Sequence, residues 1–288
     1  MSQKGTDYWF SPYFYTRFIP SGPRYASAPG KSFLLMRALS LRLLTVLGLS
    51  VALWSCKSEK EELEIEEATD YVVLQPGKYI TYRLDSTVFT QQGRSVEVHT
   101  YQEKHLIDAQ VTDNLGRPSY RVFRYIRNLA GTSSWASSGT YMITPLDNSL
   151  EVIEDNMRVI RLFSPVKEGY SWKGNRYLAT EPYASKFNFN NDDNMGDWDF
   201  TIESVGESAT YGTQNVNDII TLLHQDETIN NPATTPDTYA TRTLSVDKYA
   251  KGLGLVFQEY IMWEYQPNPG GTPYRIGFGV KRSMIDHN

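Results

Sequence analysis

The chain has few of the residues that form covalent or metal cross-links. Its 288 residues include one cysteine, Cys56, and four histidines. A single cysteine excludes a disulfide within the chain, and so few Cys and His side chains argue against a Cys/His zinc site. The histidines share no ligand spacing, and no phosphate-binding loop, HExxH motif or GxSxG motif is present. The sequence therefore assigns no catalytic residue and predicts no cofactor.

The chain also lacks a surplus of positive charge. Lys and Arg together number 28 against 33 Asp and Glu, which gives a formal net charge of -5. A nucleic-acid-binding protein needs a basic surface that neutralises phosphates. The composition therefore predicts no nucleic-acid partner.

Long hydrophobic runs are absent as well. The apolar run Leu43 to Leu53 has eleven residues, whereas a membrane-spanning helix needs about 20. Two arginines shortly before it make a basic start, and the sequence Leu-Trp-Ser-Cys ends it at Cys56. These features resemble a bacterial lipoprotein signal peptide with its lipobox, although Trp54 is bulkier than the usual residue.

The resemblance implies that the signal peptide is cut between Ser55 and Cys56 and that Cys56 carries a diacylglycerol group and an acyl chain such as palmitate. One acyl chain holds a protein only marginally on a membrane, whereas two or three hold it stably. The predicted partner is therefore the membrane, reached through the acyl chains on Cys56. The alternative is a free cysteine that follows an ordinary apolar helix.

The signal peptide divides the chain into four predicted segments. Residues 1–35 precede Met36 and are interpreted as an upstream extension of the reading frame, the alternative being a real, long n-region of the signal peptide. Residues 36–55 form the signal peptide. Residues 56–70 form an acidic tether, in which seven acidic residues and two lysines follow Cys56. Residues 71–288 form the folded domain. Because residues 1–35 carry a net +3 and residues 36–55 a net +2, the chain from Cys56 onward carries -10.

The acidic tether bears on localisation. The segment Lys57 to Glu62 resembles the export signal of surface lipoproteins of the Bacteroidetes, and the alternative is a plain acidic spacer. Lys57 also differs from the Asp that retains some lipoproteins in an inner membrane. The expected location is the cell envelope, anchored in the outer membrane and, if the tether is an export signal, exposed at the cell surface.

The domain from residue 71 reads as antiparallel β structure. Apolar and polar residues alternate with a period of two, and turn-forming clusters separate the runs. The predicted strands are 78–90, 95–112, 119–128, 135–144, 149–154, 157–163, 198–205, 218–228, 238–249, 255–266 and 274–284. Such long strands with short turns predict one up-and-down sheet curled into a barrel or half-barrel, with a lipocalin-like or lipoprotein-carrier-like shape.

The first and last strands each have one apolar parity. We expect the two strands to be neighbours, and we expect one common interior to receive their apolar residues, because a slip of one residue would expose the whole set. These residues are Ile80, Tyr82, Leu84, Ile276, Phe278 and Val280.

Three stretches of the domain resemble elements of lipoproteins of the Bacteroidetes. They are Pro165 to Trp172, Tyr211 to Ile220 and Tyr249 to Val256. The resemblance implies a broad class of envelope lipoprotein and brings no known chemistry with it. Glycines in these stretches suit the turns at which strands begin.

Two weak candidate sites remain. Asp192, Asn194 and Asp197 lie in an acidic loop that fails the EF-hand pattern, and the alternatives are a looser Ca²⁺ loop or a solvated turn. Trp263 and Tyr265 share a parity within one predicted strand and are candidates for contact with a glycan or lipid. The alternative for this pair is cross-strand packing.

Three functions are compatible with these features. The sequence favours a non-enzymatic envelope module that binds an apolar or glycan ligand inside the sheet. A structural or assembly subunit of an outer-membrane complex, bound to another envelope protein, is the second candidate. The third is a polymer hydrolase. A roomy apolar interior would favour the first, an exposed apolar patch the second and clustered buried carboxylates the third.

Overall fold

The structure is a computed structural model that describes residues 66–187, 189–191 and 193–288. The described residues fall within a compact unit that runs from Leu63 to Asn288. The predicted extension 1–35 and signal peptide 36–55 lie outside the described residues, as does most of the acidic tether.

The described part of the chain is almost entirely antiparallel β structure, as predicted. Its strands are β1 (Tyr79–Thr90), β2 (Ser95–Thr112), β3 (Pro118–Asn128), β4 (Ala136–Pro145), β5 (Ser149–Glu154), β6 (Met157–Phe163), β7 (Ser171–Lys173), β8 (Asp199–Tyr211), β9 (Gln214–Ile229), β10 (Ala240–Ala250), β11 (Gly254–Gln266) and β12 (Tyr274–His287). In the residues that the structure describes, helix is limited to α1 (Ala184–Phe187) and the 3-10 turns Ala68–Tyr71 and Met195–Asp197. The sequence pattern missed only β7, because three residues are too few for a period of two to be visible.

One sheet contains all twelve strands. Strands that follow one another in the sequence pair with each other, except β6 and β7, which form the two edges of the sheet. The first and last strands, β1 and β12, pair in the middle of the sheet. The sheet is a nearly closed barrel. The prediction that the first and last strands are neighbours is confirmed, with Tyr82 opposite Met284 and Leu84 opposite Arg282.

The six apolar residues predicted to share an interior do lie on one face of the sheet. On β1, Tyr82 and Leu84 are buried, and the pairing of β1 with β12 places them on the face that also holds Phe278 and Val280. Ile80 packs partly buried against one core cluster, and Ile276 and Val280 pack against the other. The period-two pattern therefore correctly separated the inside from the outside of these two strands.

The edge strands β6 and β7 meet without a full ladder. The backbone N–H of Ile160 donates to Gly174 O at 2.9 Å, and the indole N–H of Trp172 donates to Ile160 O at 2.9 Å. The rings of Phe163, Tyr170 and Trp172 lie 6.1 to 6.4 Å apart across this seam. Aromatic packing covers edge groups that would otherwise be open to pairing with another chain.

The segment between β7 and β8 closes one end of the barrel. It carries α1 and contributes apolar side chains to the larger core cluster. Phe187 stacks on Phe278 at a centroid distance of 4.0 Å, and Tyr183 lies edge-on to the same ring at 4.9 Å. Phe189 and Met195 are buried in the same cluster.

The segment before β1 packs at the opposite end. The predicted tether was expected to stay solvated through residue 70, but Ala68 and Tyr71 are fully buried. The Ala68 N–H donates to Ser164 Oγ at 2.8 Å, and Gly252 N–H donates to Asp70 O at 2.7 Å. Ala68 lies within the predicted tether, whereas Tyr71 is the first residue of the predicted domain, so the packed part of the chain begins a few residues earlier than predicted. We call residues 66–74 the strap.

Candidate functional site

The barrel holds a cavity of about 420 Å³. Apolar side chains from the strap, from six strands and from the β10–β11 turn form most of its wall. They are Val72, Val73, Leu74, Ile80, Ile107, Val122, Ile143, Leu150, Val152, Leu253 and Leu255. This volume falls within the range of small-molecule sites, which are concave and lined mostly by hydrophobic groups.

The cavity opens at the end where β1 begins and β12 ends. Gly252 and Asn288 line it and are exposed to solvent. The strap lies at this same end and supplies part of the cavity wall. Lys251, in the adjacent turn, forms an ion pair of 2.7 Å with Glu66 and so ties the strap to the rim.

A hydrogen-bonded row of polar side chains crosses the barrel below the apolar wall. Arg282 Nε donates to Glu103 Oε2 at 2.6 Å, and Arg282 Nη1 donates to Gln258 Oε1 at 2.5 Å. Gln258 Nε2 donates to Asp247 Oδ1 at 2.8 Å, and Arg161 Nη1 donates to Asp247 Oδ2 at 3.3 Å. These five residues, which we call the belt, join β2, β12, β11 and β10 to β6 on the far side of the sheet.

The belt presents its cations to the cavity and hides its anions. The side chains of Asp247 and Glu103 are 1% and 4% exposed, whereas those of Arg161 and Arg282 are 21% and 14% exposed. Both arginines line the cavity, and neither carboxylate does. Burial alone would raise the pKa of Glu103, but Arg282 and His105 lower it by more, so this pKa lies well below its ordinary value. Glu103 is therefore ionised, and Arg282 is its counter-charge.

An anionic side chain, Glu154, also lines the floor of the cavity. Glu154 lines the cavity with a side chain that is 30% exposed, and its partner Arg124 is 10% exposed at a distance of 2.5 Å. A second, smaller cavity of about 90 Å³ lies beyond the belt. Val152, Glu154, Arg161, Gln258 and Arg282 line both cavities, so the belt is the partition between them.

His224, Ser245 and Asp247 resemble a Ser-His-Asp arrangement, but their geometry is structural. His224 Nδ1 lies 2.9 Å from Ser245 Oγ, whereas Nε2 lies 3.9 Å from Asp247 Oδ2, beyond hydrogen-bond distance. The imidazole stacks on Phe200 at 3.6 Å. Burial lowers the pKa of His224 to about 4, although Asp247 acts in the opposite direction. Neither His224 nor Ser245 lines either cavity.

Trp263 and Tyr265, the predicted ligand-binding pair, lie together but away from the cavity. The guanidinium of Arg275 lies 5.5 Å from the Trp263 ring and 5.2 Å from the Tyr265 ring. Tyr265 is buried, and its hydroxyl donates to Pro236 O at 2.8 Å. Both residues lie on the face of β11 that points away from the core residue Met262. Their role in ligand binding stays a prediction.

The candidate calcium loop is only partly described. Asn194 and Asp197 are exposed, whereas Met195 and Trp198 are buried and fix the loop to the core. Asp192 lies outside the described residues. Within residues 66–187, 189–191 and 193–288, no group of three or more His, Cys, Asp or Glu side chains is arranged to hold a metal ion. The Ca²⁺ prediction stays untested.

The predicted lipidation site, Cys56, and the cleavage position after Ser55 also lie outside the described residues. Among the residues that the structure describes, no helix is both long and apolar enough to cross a membrane.

The belt is what sequence reasoning missed. Arg161 is the extra residue of a bulge, because Leu162 pairs with Leu150 and Ile160 pairs with Glu151. His224, which is buried outside the belt, is likewise the extra residue of a bulge between β9 and β10. A bulge re-aims a side chain and interrupts the period of two, so alternation does not reveal which way these residues point. A charged residue between two apolar ones in a strand is the one signal the sequence offers.

Comparisons with known proteins add little to this description. A scan against models of protein families finds no match, and a search of curated proteins finds none either. Among solved structures, the chain is similar to a protein from Bacteroides fragilis described as exported and as having a YmcC-like fold. The identity is 10%, the TM-score is 0.31, and the alignment covers 76% of this chain and 98% of the other. This similarity is too low to support a conclusion about fold or function.

The fold and the cavity nevertheless define a class. The described domain is an all-β, nearly closed up-and-down barrel, and it encloses an apolar cavity whose floor is a row of buried charges.

Proposed function

We propose that this protein is a non-enzymatic ligand-binding module of the bacterial cell envelope, held on the membrane by acyl chains on Cys56. The observation that carries the proposal is the cavity of about 420 Å³ with its apolar wall and its opening at one end. Each Å² of apolar surface that a ligand buries in the cavity contributes roughly 25 cal/mol of favourable transfer free energy.

The position of the opening supports a ligand from the membrane. The strap lies at the cavity mouth and leads back along the chain toward Cys56, which is ten residues before Glu66. Ten residues span at most roughly 35 Å. A lipidated Cys56 would keep the mouth within that distance of the bilayer surface.

The hydrolase alternative has less support. The buried carboxylates Glu103 and Asp247 each face an arginine, and the pKa of Glu103 is lowered. A general acid of a glycosidase needs a raised pKa, so the belt has the wrong electrostatics for that role.

The test of the proposed function is purification from the native membrane followed by mass spectrometry of the bound small molecules. We expect a lipid or another largely apolar molecule in a one-to-one ratio with the protein. Purification of a ligand-free protein that also fails to bind an apolar dye would contradict the proposal.

The anchor is tested separately. We predict that Cys56→Ala abolishes labelling by an alkyne fatty acid and releases the protein from the membrane fraction, whereas Ser58→Ala, two residues away, leaves labelling unchanged. Equal labelling of Cys56→Ala and the unsubstituted protein would disprove lipidation at this residue.

A further inference from the structure

We infer that the cavity selects amphiphiles with an anionic head, a carboxylate or a phosphate, and that Arg161 and Arg282 bind that head at the belt. This inference rests on the proposed function and adds the chemistry of the ligand. It follows from the arrangement of charges at the cavity floor and from the hydrogen-bond donors left over there.

The two arginines have donors that the belt does not use. A guanidinium carries five N–H donors. Arg282 donates through Nε to Glu103 and through Nη1 to Gln258, and Arg161 donates through Nη1 to Asp247. Both side chains are partly exposed and both line the cavity. Guanidinium groups match carboxylate and phosphate oxygens, with which they form charge-assisted hydrogen bonds.

The charges at the floor favour an anion. Arg161 and Arg282 face the cavity, and their carboxylates lie behind them with 1% and 4% exposure. Glu154 is the opposing charge that lines the floor, and Arg124 is paired with it. Lys78 adds a cation nearer to the mouth. A head that enters between Arg161 and Arg282 therefore meets their guanidinium donors before it meets the carboxylates paired with them.

The apolar wall of the cavity determines the chemistry of the part of the ligand beyond its head. The belt lies below the wall, and the mouth lies beyond it. An alkyl chain that points from the belt toward the mouth is surrounded by Ile143, Val122 and Ile107, whereas its head reaches the arginines. The cavity thus matches one apolar chain with one polar end.

The test compares four ten-carbon amphiphiles: decanoate, decyl phosphate, decanol and decyltrimethylammonium. Each displaces an apolar fluorescent dye from the full chain carrying Cys56→Ala, at pH 7.5 and below micellar concentrations. We expect decanoate or decyl phosphate to bind at least tenfold more tightly than decanol, and the cationic amphiphile to bind most weakly. The ratio between decanoate and decyl phosphate distinguishes the two head chemistries.

Two variants, one in the belt and one at the opposing charge of the floor, test which groups produce the preference. Arg282→Met combined with Glu103→Gln removes both partners, since one partner alone would leave a buried charge unpaired. In this variant, we expect the ratio of the affinity for decanoate to the affinity for decanol to fall at least fivefold. Its affinity for decanol should stay within twofold of that of the parent chain. Glu154→Gln removes the opposing charge, so we expect it to bind decanoate more tightly. Circular dichroism checks that each variant is folded. If the paired variant is unfolded, the inference is decided by Glu154→Gln and by the order of affinities of the four amphiphiles for the parent chain.

The outcomes separate this inference from the proposed function. Equal binding of decanol and decanoate would overturn the head-group assignment and leave the binding function intact. Tightest binding of decyltrimethylammonium, or weaker decanoate binding by Glu154→Gln, would overturn it as well. Binding of none of the four would overturn the proposed function itself.

Discussion

Asp247 and Glu103 are carboxylates in a barrel interior, and arginines lie against both of them. Transfer of an ion from water to a protein interior costs several kcal/mol unless a partner and hydrogen bonds compensate. Asp247 accepts from Arg161 and from Gln258, and Glu103 accepts from Arg282. The polar floor of the cavity is therefore stable only as a connected row, and its arginines are fixed in place before any ligand arrives.

The buried histidine predicts a pH dependence of stability. Burial and Arg161 lower the pKa of His224 to about 4 in the folded state, from an ordinary value of 6.5, although Asp247 opposes the shift. The unfolded chain therefore takes up this proton first as the pH falls. The stabilisation is complete above pH 6.5 and is lost between pH 6.5 and 4, on the order of 3 kcal/mol.

Urea denaturation at pH 7 and at pH 4.5 measures this loss. His224→Gln, which does not titrate, should flatten the dependence in that window, whereas His99→Gln at an exposed position should not. Because the pKa of Glu103 is lowered, protonation of this carboxylate reduces the free energy of unfolding only at more acidic pH. An unchanged slope in His224→Gln would show that this histidine is not the titrating group.

At the scale of elements, the β1–β2 hairpin turn rests on the start of β12. Arg275 N–H donates to Gly93 O at 2.7 Å, and Gly93 has φ +83°. A Cβ at Gly93 would lie 2.1 Å from Arg275 O, which is backbone and has no flexible end. The turn between β2 and β3 offers a matched position, because Gly116 has φ +77° and open space around it.

Substitution of each glycine by alanine separates backbone strain from steric contact. Gly116→Ala is expected to cost roughly 1–2 kcal/mol, since only the left-handed conformation is penalised. Gly93→Ala is expected to cost more, because the hairpin must also move away from β12. Equal losses of unfolding free energy would contradict the packing of this hairpin on Arg275.

The strands were the predictable part of this fold, and the reason is visible in β1 and β12. Apolar residues recur with a period of two from Ile80 to Leu84 and from Ile276 to Val280, so the sequence alone predicted both strands and their shared interior. The belt was not predictable in the same way. Arg161 lies at a bulge, and it contacts Asp247 from a strand that is distant in the sheet order. Contacts across a barrel form only when the sheet curls so that distant strands face each other. The alternation of residues within one strand carries no information about that curvature.

At the scale of the whole molecule, the barrel is plugged at one end and open at the other. Aromatic residues around α1 fill the plugged end, and the strap lies at the open end. The first described residue, Glu66, therefore lies beside the cavity mouth, where it pairs with Lys251.

The most direct test of the central claim is a titration with the apolar dye N-phenyl-1-naphthylamine. Val152 lines the cavity, whereas Val98 on β2 is 58% exposed, so phenylalanine at each position adds the same bulk inside and outside. We predict saturable binding by the parent chain, at least tenfold weaker binding by Val152→Phe and unchanged binding by Val98→Phe. Absence of saturable binding to the parent chain, or equal binding by Val152→Phe and the parent, would contradict the claim that this cavity is the ligand site.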